Sequence, residues 1–272
     1  MKLLPALLLG SILFSALVVR SQEMFSSGAR IQSLGGVSVG LSDIWSVCGN
    51  QAGLAQISHV EIGGSFQNRF LISELSTRSL VFSIPVQSSV FAVTISQFGK
   101  NNFRQEKYGL AYARQIFPKL NFGVQFNYYR IYLPEDNRSA GSSGIELGVQ
   151  YLLSRQLILG LHVMNPYQTG IATMTGTYQF HRRINFGANF HLSNDFSWSS
   201  ELEHDLSGHL TVRTGMEYTI PEKLFLRAGF SGKPYQLSAG LGFQVKKIIV
   251  DLAGSYNQYL GNSPSVSFQY QF

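Results

Sequence analysis

From His59 onward, large apolar residues alternate with small or polar residues along short stretches of the chain. In the stretch 120–128, every even-numbered residue is large and apolar, and every odd-numbered residue is Asn, Gly or Gln. A period of two places successive side chains on opposite faces of a β-strand. The same alternation recurs in 184–190, 237–243 and 266–272. We therefore predict strands with one face in an apolar medium and the other lined by small and polar groups.

The alternation predicts about 14 strands. They lie near 59–68, 77–86, 89–98, 105–116, 119–132, 143–153, 156–165, 180–192, 196–205, 208–219, 223–231, 235–244, 247–257 and 264–272. Each is close to the ~9–11 residues with which a tilted strand crosses a membrane. A soluble β-sandwich also alternates, but its exposed face would carry more Lys and Glu. The predicted fold is all-β, a transmembrane antiparallel β-barrel.

The connections between these strands alternate in length, which is an independent sign of a barrel. The longer ones lie near 69–76, 99–104, 133–142, 166–179 and 258–263. Outer-membrane barrels have short periplasmic turns and longer external loops. This pattern predicts a bacterial outer-membrane protein with both chain termini on the periplasmic side.

Composition agrees with a membrane barrel. Charged residues make up only 13% of the chain, which is low for a soluble protein. After the N-terminal segment, no apolar run is long enough for a membrane helix. The net charge of +6 does not indicate nucleic-acid binding, because Lys and Arg lie mostly in turns and at strand ends. We expect outer-membrane lipid as the partner of these basic groups.

The first 58 residues precede the alternating pattern and divide into two parts. Residues 1–21 have a lysine, an apolar core and short residues before a cleavage point, which predicts a signal peptide. A single membrane anchor is the alternative. Residues 22–58 are rich in Gly, Ser and small apolar side chains and lack a clear period. We predict that they form a plug inside a barrel that comprises residues 59–272.

The plug segment contains a recognisable motif. Its key residues are Gly28, Ala29, Arg30, Gly35, Gly36, Asp43, Asn50 and Gly53. The motif resembles the N-terminal hatch of the FadL-type outer-membrane barrels and, within them, the PorV/PorQ-like proteins of Bacteroidetes. Gln51 stands where that family usually has Pro, so the Asn-x-Ala-Gly-Leu turn departs from the pattern. The resemblance implies 14 strands and an N-terminal plug.

Charged residues on the predicted inner face form a ladder. Strand parity places these residues in the lumen: Arg183, Glu201, Glu203, Asp205, Arg213, Glu217 and Arg227. Pairing through the short turns predicts three neighbouring pairs, which are Arg183 with Asp205, Glu201 with Arg213, and Glu217 with Arg227. Such pairs either brace the wall and dock the plug or form a site for a charged ligand.

Arg30 of the plug belongs with this ladder. We expect it to face the acidic stretch of Glu201, Glu203 and Asp205, since a guanidinium in a restricted lumen needs a carboxylate or carbonyl partner. The alternative is that Arg30 caps backbone carbonyls within the plug.

The sequence lacks the common catalytic and metal-binding motifs. His204 and His209 flank one hairpin tip, and Ser199 and His191 share the inner face, but nothing orients them as a catalytic set. Cys48 is the single cysteine, so an internal disulfide is impossible. We predict no enzyme activity, no cofactor and no metal.

Two functions remain from the sequence. The PorV-like resemblance implies a secretion accessory, related to type IX secretion, that binds another outer-membrane or secreted protein. The loops at 132–134 and 166–178 are candidate contact regions. The alternative is a FadL-like transporter of small hydrophobic molecules. That function requires apolar side chains along the path, whereas the predicted lumen is mostly polar.

Overall fold

The alternation of residues can be followed strand by strand in a computed structural model. The structure describes residues 25, 27–100, 103–133, 138–167, 169–173, 176–206, 208–221, 223–232 and 234–272. The predicted signal peptide, residues 1–21, lies outside the described residues.

The described chain contains sixteen β-strands. They are β1 Glu61–Asn68, β2 Ser76–Val86, β3 Ser89–Lys100, β4 Phe103–Phe117, β5 Leu120–Leu133, β6 Arg138–Leu152, β7 Leu157–Met164, β8 Gly170–Thr173, β9 Gly176–Gln179, β10 Arg183–His191, β11 Phe196–Asp205, β12 His209–Ile220, β13 Leu224–Ser231, β14 Gln236–Val245, β15 Ile248–Asn257 and β16 Gly261–Gln271. Strands β8 and β9 pair only with each other, and the remaining fourteen close into a barrel.

The barrel confirms the predicted fold class and strand number. Neighbouring strands are antiparallel throughout, and β1 pairs with β16 to close the sheet. β7 pairs with β10, because the β8–β9 hairpin is inserted between them in the chain. We name the two rims by their connections: the turn edge holds the tight turns, and the loop edge holds the longer segments, including 165–182.

The long connections predicted at 99–104 and 133–142 are shorter than expected. β4 begins at Phe103, and the β5–β6 ladder continues to the pair Leu133 and Arg138. The stretch 138–144 is rich in Ser and Gly and carries no alternation, so its strand character was not visible in the sequence. Pairing to β5 across the hairpin supplies the backbone hydrogen bonds there. β6 therefore extends farther toward the loop edge than β7, with which it pairs only from Glu146 onward.

Odd and even positions along each strand carry different kinds of side chain. On β2, Leu80, Phe82 and Ile84 point outward and are exposed, whereas the intervening Ser79, Val81 and Ser83 are buried. The other long strands repeat this arrangement, with Ser, Asn, Gln and Gly on the inner face. The outer surface of the barrel is thus apolar and the inner surface largely polar, which suits a barrel surrounded by lipid.

The segment before β1 forms three short helices that are almost fully buried. Helix α1 spans Gly28–Ser33, and two 3-10 helices span Ile44–Cys48 and Gln51–Gln56. Ile31, Ile44, Trp45 and Leu54 form the apolar core between them and the wall. Among the described residues, no helix is both long and apolar enough to cross a membrane.

Glycine permits the closest contacts between this segment and the strands. Gly35 has φ of +72°, and a Cβ atom there would lie 2.7 Å from the backbone nitrogen of Phe230. On the wall, a Cβ atom at Gly215 would lie 2.6 Å from the carbonyl oxygen of Leu34. A larger residue at either position would separate the two backbones. These are the contacts that a plug inside the barrel would make; the domain boundary at residue 58 stays a prediction.

Candidate functional site

Three acidic side chains of the inner wall meet the segment 28–57. They are Glu146 on β6, Glu201 on β11 and Glu217 on β12, and each accepts hydrogen bonds from that segment. Glu201 and Glu217 lie on adjacent strands, and β10 and β7 separate these from β6, which carries Glu146. We call them the wall carboxylates.

Arg30 is the partner of Glu217. Its Nε lies 3.0 Å from Glu217 Oε2 and its Nη2 lies 2.8 Å from Glu217 Oε1, so the guanidinium binds the carboxylate through two hydrogen bonds. Its Nη1 also contacts Asp43 Oδ2 at 2.5 Å. A planar guanidinium suits this two-point contact, which a lysine ammonium cannot reproduce.

This position of Arg30 corrects the sequence-based expectation. Arg30 was expected beside Glu201, Glu203 and Asp205, but α1 places it next to Glu217 on the neighbouring strand. Burial by itself would lower the pKa of the Arg30 guanidinium. The carboxylates of Glu217 and Asp43 outweigh burial and raise that pKa above its ordinary value, so Arg30 stays charged.

Glu217 also belongs to a chain of charges along the wall. Arg227 on β13 contacts Glu217 Oε2 at 2.5 Å and Asp251 Oδ1 at 2.5 Å. Glu217 and Arg227 are register partners, the neighbouring pair expected from the turns. Asp43, Arg30, Glu217, Arg227 and Asp251 thus alternate in sign, so each buried charge has an opposite neighbour.

Glu201 binds the backbone of the segment. Its Oε2 accepts hydrogen bonds from the N–H groups of Ser38 at 2.7 Å and Val39 at 3.0 Å. Its Oε1 accepts from Asn185 Nδ2 at 2.7 Å and lies 3.4 Å from Arg213 Nη1. Glu201 and Arg213 are register partners, as the turn pairing predicts.

The rest of the ladder includes diagonal contacts as well. Arg183 and Asp205 are register partners, the neighbouring pair expected from the turns. Arg183 Nη1 also lies 3.2 Å from Glu203 Oε2, and Asp205 Oδ2 lies 2.7 Å from His181 Nδ1. Glu203 is shared with Arg213, whose Nη2 lies 2.8 Å away. A long arginine side chain reaches the diagonal neighbour on the facing strand, so the ladder also joins residues that are not register partners.

Glu146 anchors a cluster that the sequence reasoning missed. Its carboxylate is fully buried and contacts Lys107 Nζ at 2.7 Å, His162 Nε2 at 3.1 Å and Asn127 Nδ2 at 2.7 Å. Gln51 from the second 3-10 helix donates to Glu146 Oε2 at 2.8 Å. Parity already places these groups inside, and extending the parity rule from β10–β13 to β4–β7 would have found them. A lysine and a glutamate this deeply buried require one another.

The motif residues shape the segment itself. The Asn50 side chain accepts from Ala52 N at 3.1 Å and donates to the carbonyl oxygens of Val39 at 2.8 Å and Val149 at 3.0 Å. The backbone N–H of Ala29 donates to Ser267 on β16. Three further motif residues serve the backbone: Gly28 and Gly36 have φ of +84° and +87°, and a side chain at Gly53 would collide with Leu41. A function for these residues beyond such contacts stays a prediction.

The outer surface holds a second feature, an apolar crevice of about 650 Å³. Its floor is a row of register partners that runs across four strands: Val93, Leu110, Phe126 and Ile145. Tyr108 and Tyr128 form the next row, and Tyr167 also lines the crevice. We call this feature the outer crevice.

At one end of the outer crevice, the pairing between β6 and β7 breaks off; we call this place the break. β7 ends at Met164, and Asn165, with φ of +51°, leads the chain toward the β8–β9 hairpin. Asn165, Thr169 and Gly144 line this end of the crevice. On the inner side of this break, the ring of Tyr129 stacks on that of Phe180, with ring centroids 4.3 Å apart. Aromatic packing therefore closes the inner side of the break.

The remaining candidate groups do not assemble into a reactive site. His209 is opposite Asp205 and not His204, and Ser199 donates to Asn189 at 3.2 Å. Within the described part of the chain, no three His, Cys, Asp or Glu residues are grouped so that they could hold a metal ion.

Comparison with known proteins identifies the fold. No family model and no curated protein matches the chain. Among solved structures, the toluene transporter TodX of Pseudomonas putida has a TM-score of 0.74 at 12% identity, covering 92% of this chain and 100% of that one. A FadL homologue from Pseudomonas aeruginosa has a TM-score of 0.62 at 12% identity, covering 92% and 98%. The chain has the fold of the FadL-type channels.

The toluene transporter TbuX of Ralstonia pickettii shares this FadL-type fold, with a TM-score of 0.67 at 11% identity over 92% of this chain and 99% of that one. The FadL-type resemblance of the motif is thus matched by the barrel. The comparisons give no support to the PorV/PorQ-like branch, so the finer resemblance drawn from the motif has no counterpart among them.

Proposed function

We propose that this chain is an outer-membrane barrel that binds small hydrophobic molecules and lets them pass across that membrane. The observation that carries the proposal is the outer crevice, an apolar volume of about 650 Å³ beside the break where β7 leaves β6. Solved structures with this fold are described as a monoaromatic hydrocarbon channel and as toluene transporters. A passage protein without catalytic groups accounts for these features better than an enzyme does.

The contents of the lumen favour an entry at the side of the barrel. Residues 28–57 fill the interior in this proposal, and all three wall carboxylates bind them. A hydrophobic molecule that moved straight down the lumen would separate buried polar groups from their partners. It would offer them no hydrogen bonds in exchange, so this path is unfavourable in free energy. The outer crevice offers apolar contact without that cost.

Three polar side chains that border the outer crevice, those of Asn127, Asn165 and Thr169, already have partners within the chain. Asn165 Oδ1 accepts from Thr169, and Asn127 donates to Glu146. A molecule in the crevice therefore gains mainly apolar contact with Leu110, Phe126 and Tyr128. This chemistry supports the transporter over the secretion accessory as the leading function.

The test is binding of toluene to the purified full-length protein in detergent, followed by saturation-transfer NMR. Phe126→Asn should weaken binding by roughly five-fold or more, since about 1 kcal/mol of apolar contact is lost. Phe243→Asn is the matched control, because Phe243 also points outward but lies on β14. Equal binding by wild type and Phe126→Asn would contradict the proposal.

A further inference from the structure

One edge of β6 is left open by the departure of β7. β6 pairs with β5 from Arg138 to Tyr151, but with β7 only from Glu146 onward. Residues 139–143 therefore have a strand on one side only, within the described part of the chain. The β8–β9 hairpin passes nearby, yet its backbone pairs with itself and not with β6.

The direction of the open hydrogen-bonding groups is fixed by one contact. Asn165 N donates to the carbonyl oxygen of Ile145 at 2.9 Å, so the polar backbone groups of Ile145 face the β7 side. In a β-strand, the N–H and C=O of every second residue point the same way. The backbone groups of Ser139, Gly141 and Ser143 therefore face the open edge, and those of Ala140 and Ser142 face β5.

The sequence of this edge lacks the usual protection. Natural edge strands carry Lys, Pro or a bulge that prevents another strand from pairing. Residues 139–143 read Ser-Ala-Gly-Ser-Ser and run without a bulge against β5. Ser139, Gly141 and Ser143 are exposed. Small side chains leave the backbone accessible to a neighbouring chain.

The side of the edge that faces outward carries a guanidinium and an aromatic ring. Arg130 Nη2 donates to Ser139 Oγ at 3.0 Å, and Tyr128 lies farther along the same face. A Cβ atom at Gly141 would collide with the hydroxyl oxygen of Tyr128, so the tyrosine ring extends over this glycine toward the edge. Ser143 and Tyr128 also line the outer crevice. A strand added beside β6 would place alternate side chains next to this ring, where apolar residues fit best.

We infer that residues 139–143 of β6 bind an extended segment of another polypeptide by strand addition, with apolar side chains of that segment against Tyr128. The occupant follows from the chemistry, because a row of backbone donors and acceptors is matched by another backbone. Lipid is excluded as the occupant, since hydrocarbon leaves these groups without hydrogen bonds. This inference stands independently of whether the barrel transports hydrophobic molecules.

A second copy of this chain does not fit the edge. Two barrels in one membrane have the same orientation, so a two-fold axis along the membrane normal would relate them. Such an axis keeps each residue at the same height in both copies. Ser139, Gly141 and Ser143 of one copy would therefore lie directly opposite the same residues of the other. N–H groups then oppose N–H groups, and the ladder cannot form.

The test uses the full-length protein purified in detergent and a synthetic peptide of alternating Val and Thr. Amide hydrogen exchange is read residue by residue. We expect the peptide to slow exchange at residues 139, 141 and 143 by about ten-fold or more. Residues 140 and 142 bond to β5 and serve as the internal reference. The same peptide with N-methylated alternate amides is the control, because it lacks the donors on one edge.

Two variants separate backbone pairing from side-chain contact. Ser143→Pro removes the N–H that faces the open edge and should abolish the protection, while pairing with β5 stays intact. Ser143→Ala keeps that N–H, so the peptide should still protect the edge from exchange. No protection by the peptide overturns the inference. Protection of 139, 141 and 143 before any peptide is added also overturns it, because the chain itself or a second copy would then cover the edge.

Discussion

The two faces of β4, β5 and β6 carry opposite chemistries on neighbouring residues. Lys107, Asn127 and Glu146 point inward and form a buried hydrogen-bonded cluster with Gln51. Their chain neighbours Tyr108, Phe126 and Ile145 point outward and line the outer crevice. A single residue step thus separates a polar face that contacts the segment 28–57 from an apolar face that, in the proposed function, receives hydrophobic molecules. The comparison shows that one wall can carry both chemistries because successive side chains of a strand point to opposite faces.

The largest expected effect comes from breaking the inner cluster. Glu146→Leu leaves Lys107 buried without a carboxylate, which should lower the free energy of unfolding by roughly 3–5 kcal/mol. Urea titration of the protein in detergent measures this loss. The double variant Lys107→Met with Glu146→Leu removes both charges and should lose less than the single variant. A double variant as unstable as the single one would contradict the view that an unpaired charge is responsible.

The next effect concerns the attachment of α1. Arg30→Ala removes the two-point contact with Glu217 and should weaken docking of the segment by roughly 1–3 kcal/mol. Cys48, the single cysteine, lies in the same segment and is half-buried, so its rate of labelling by a thiol reagent reports on the docking. Labelling should accelerate in Arg30→Ala and less in Arg30→Lys. An unchanged rate would show that Arg30 does not hold the segment in place.

The same variant tests whether the inner and outer faces of the wall act independently. The outer crevice shares no side chain with the Arg30 cluster, so Arg30→Ala should leave toluene binding unchanged, within about 0.3–0.5 kcal/mol. Saturation-transfer NMR on the wild type and the variant checks this. A large change in toluene binding would mean that the two faces are coupled through the wall.

The smallest effect on stability is expected in the charge ladder near the loop edge. Arg183→Met removes one of two arginines that contact Glu203, and Arg213 remains 2.8 Å away. The loss in the free energy of unfolding should be about 0.2–1 kcal/mol. Urea titration again measures it. A loss comparable to that of Glu146→Leu would show that the ladder, and not the Glu146 cluster, is the main polar brace of the wall.

Strand number and the inward and outward faces were accessible from the sequence because a period of two directly encodes them. The cross-strand neighbours Glu201 with Arg213 and Glu217 with Arg227 followed from the turns. The partner of Arg30 did not, since it depends on how α1 is rotated against the wall. No local pattern encodes that rotation.

The outer crevice and the open edge of β6 were beyond sequence reasoning for another reason. Both exist because β7 ends at Met164 while β6 continues to Arg138. The long connection at 166–179 was recognised, but its paired hairpin was not. The Ser- and Gly-rich stretch 139–144 has no alternation that marks it as strand. Pairing with β5, and not its own composition, makes it one.

The central claim is that residues 28–57 close the lumen and that the three wall carboxylates hold them there. Single-channel recording of the purified full-length protein in a planar lipid bilayer tests it most directly. A closed lumen predicts no large steady conductance for the wild type, and brief openings that become more frequent in Arg30→Ala. A large, steady conductance of the wild type, comparable to that of an open porin, would contradict the account.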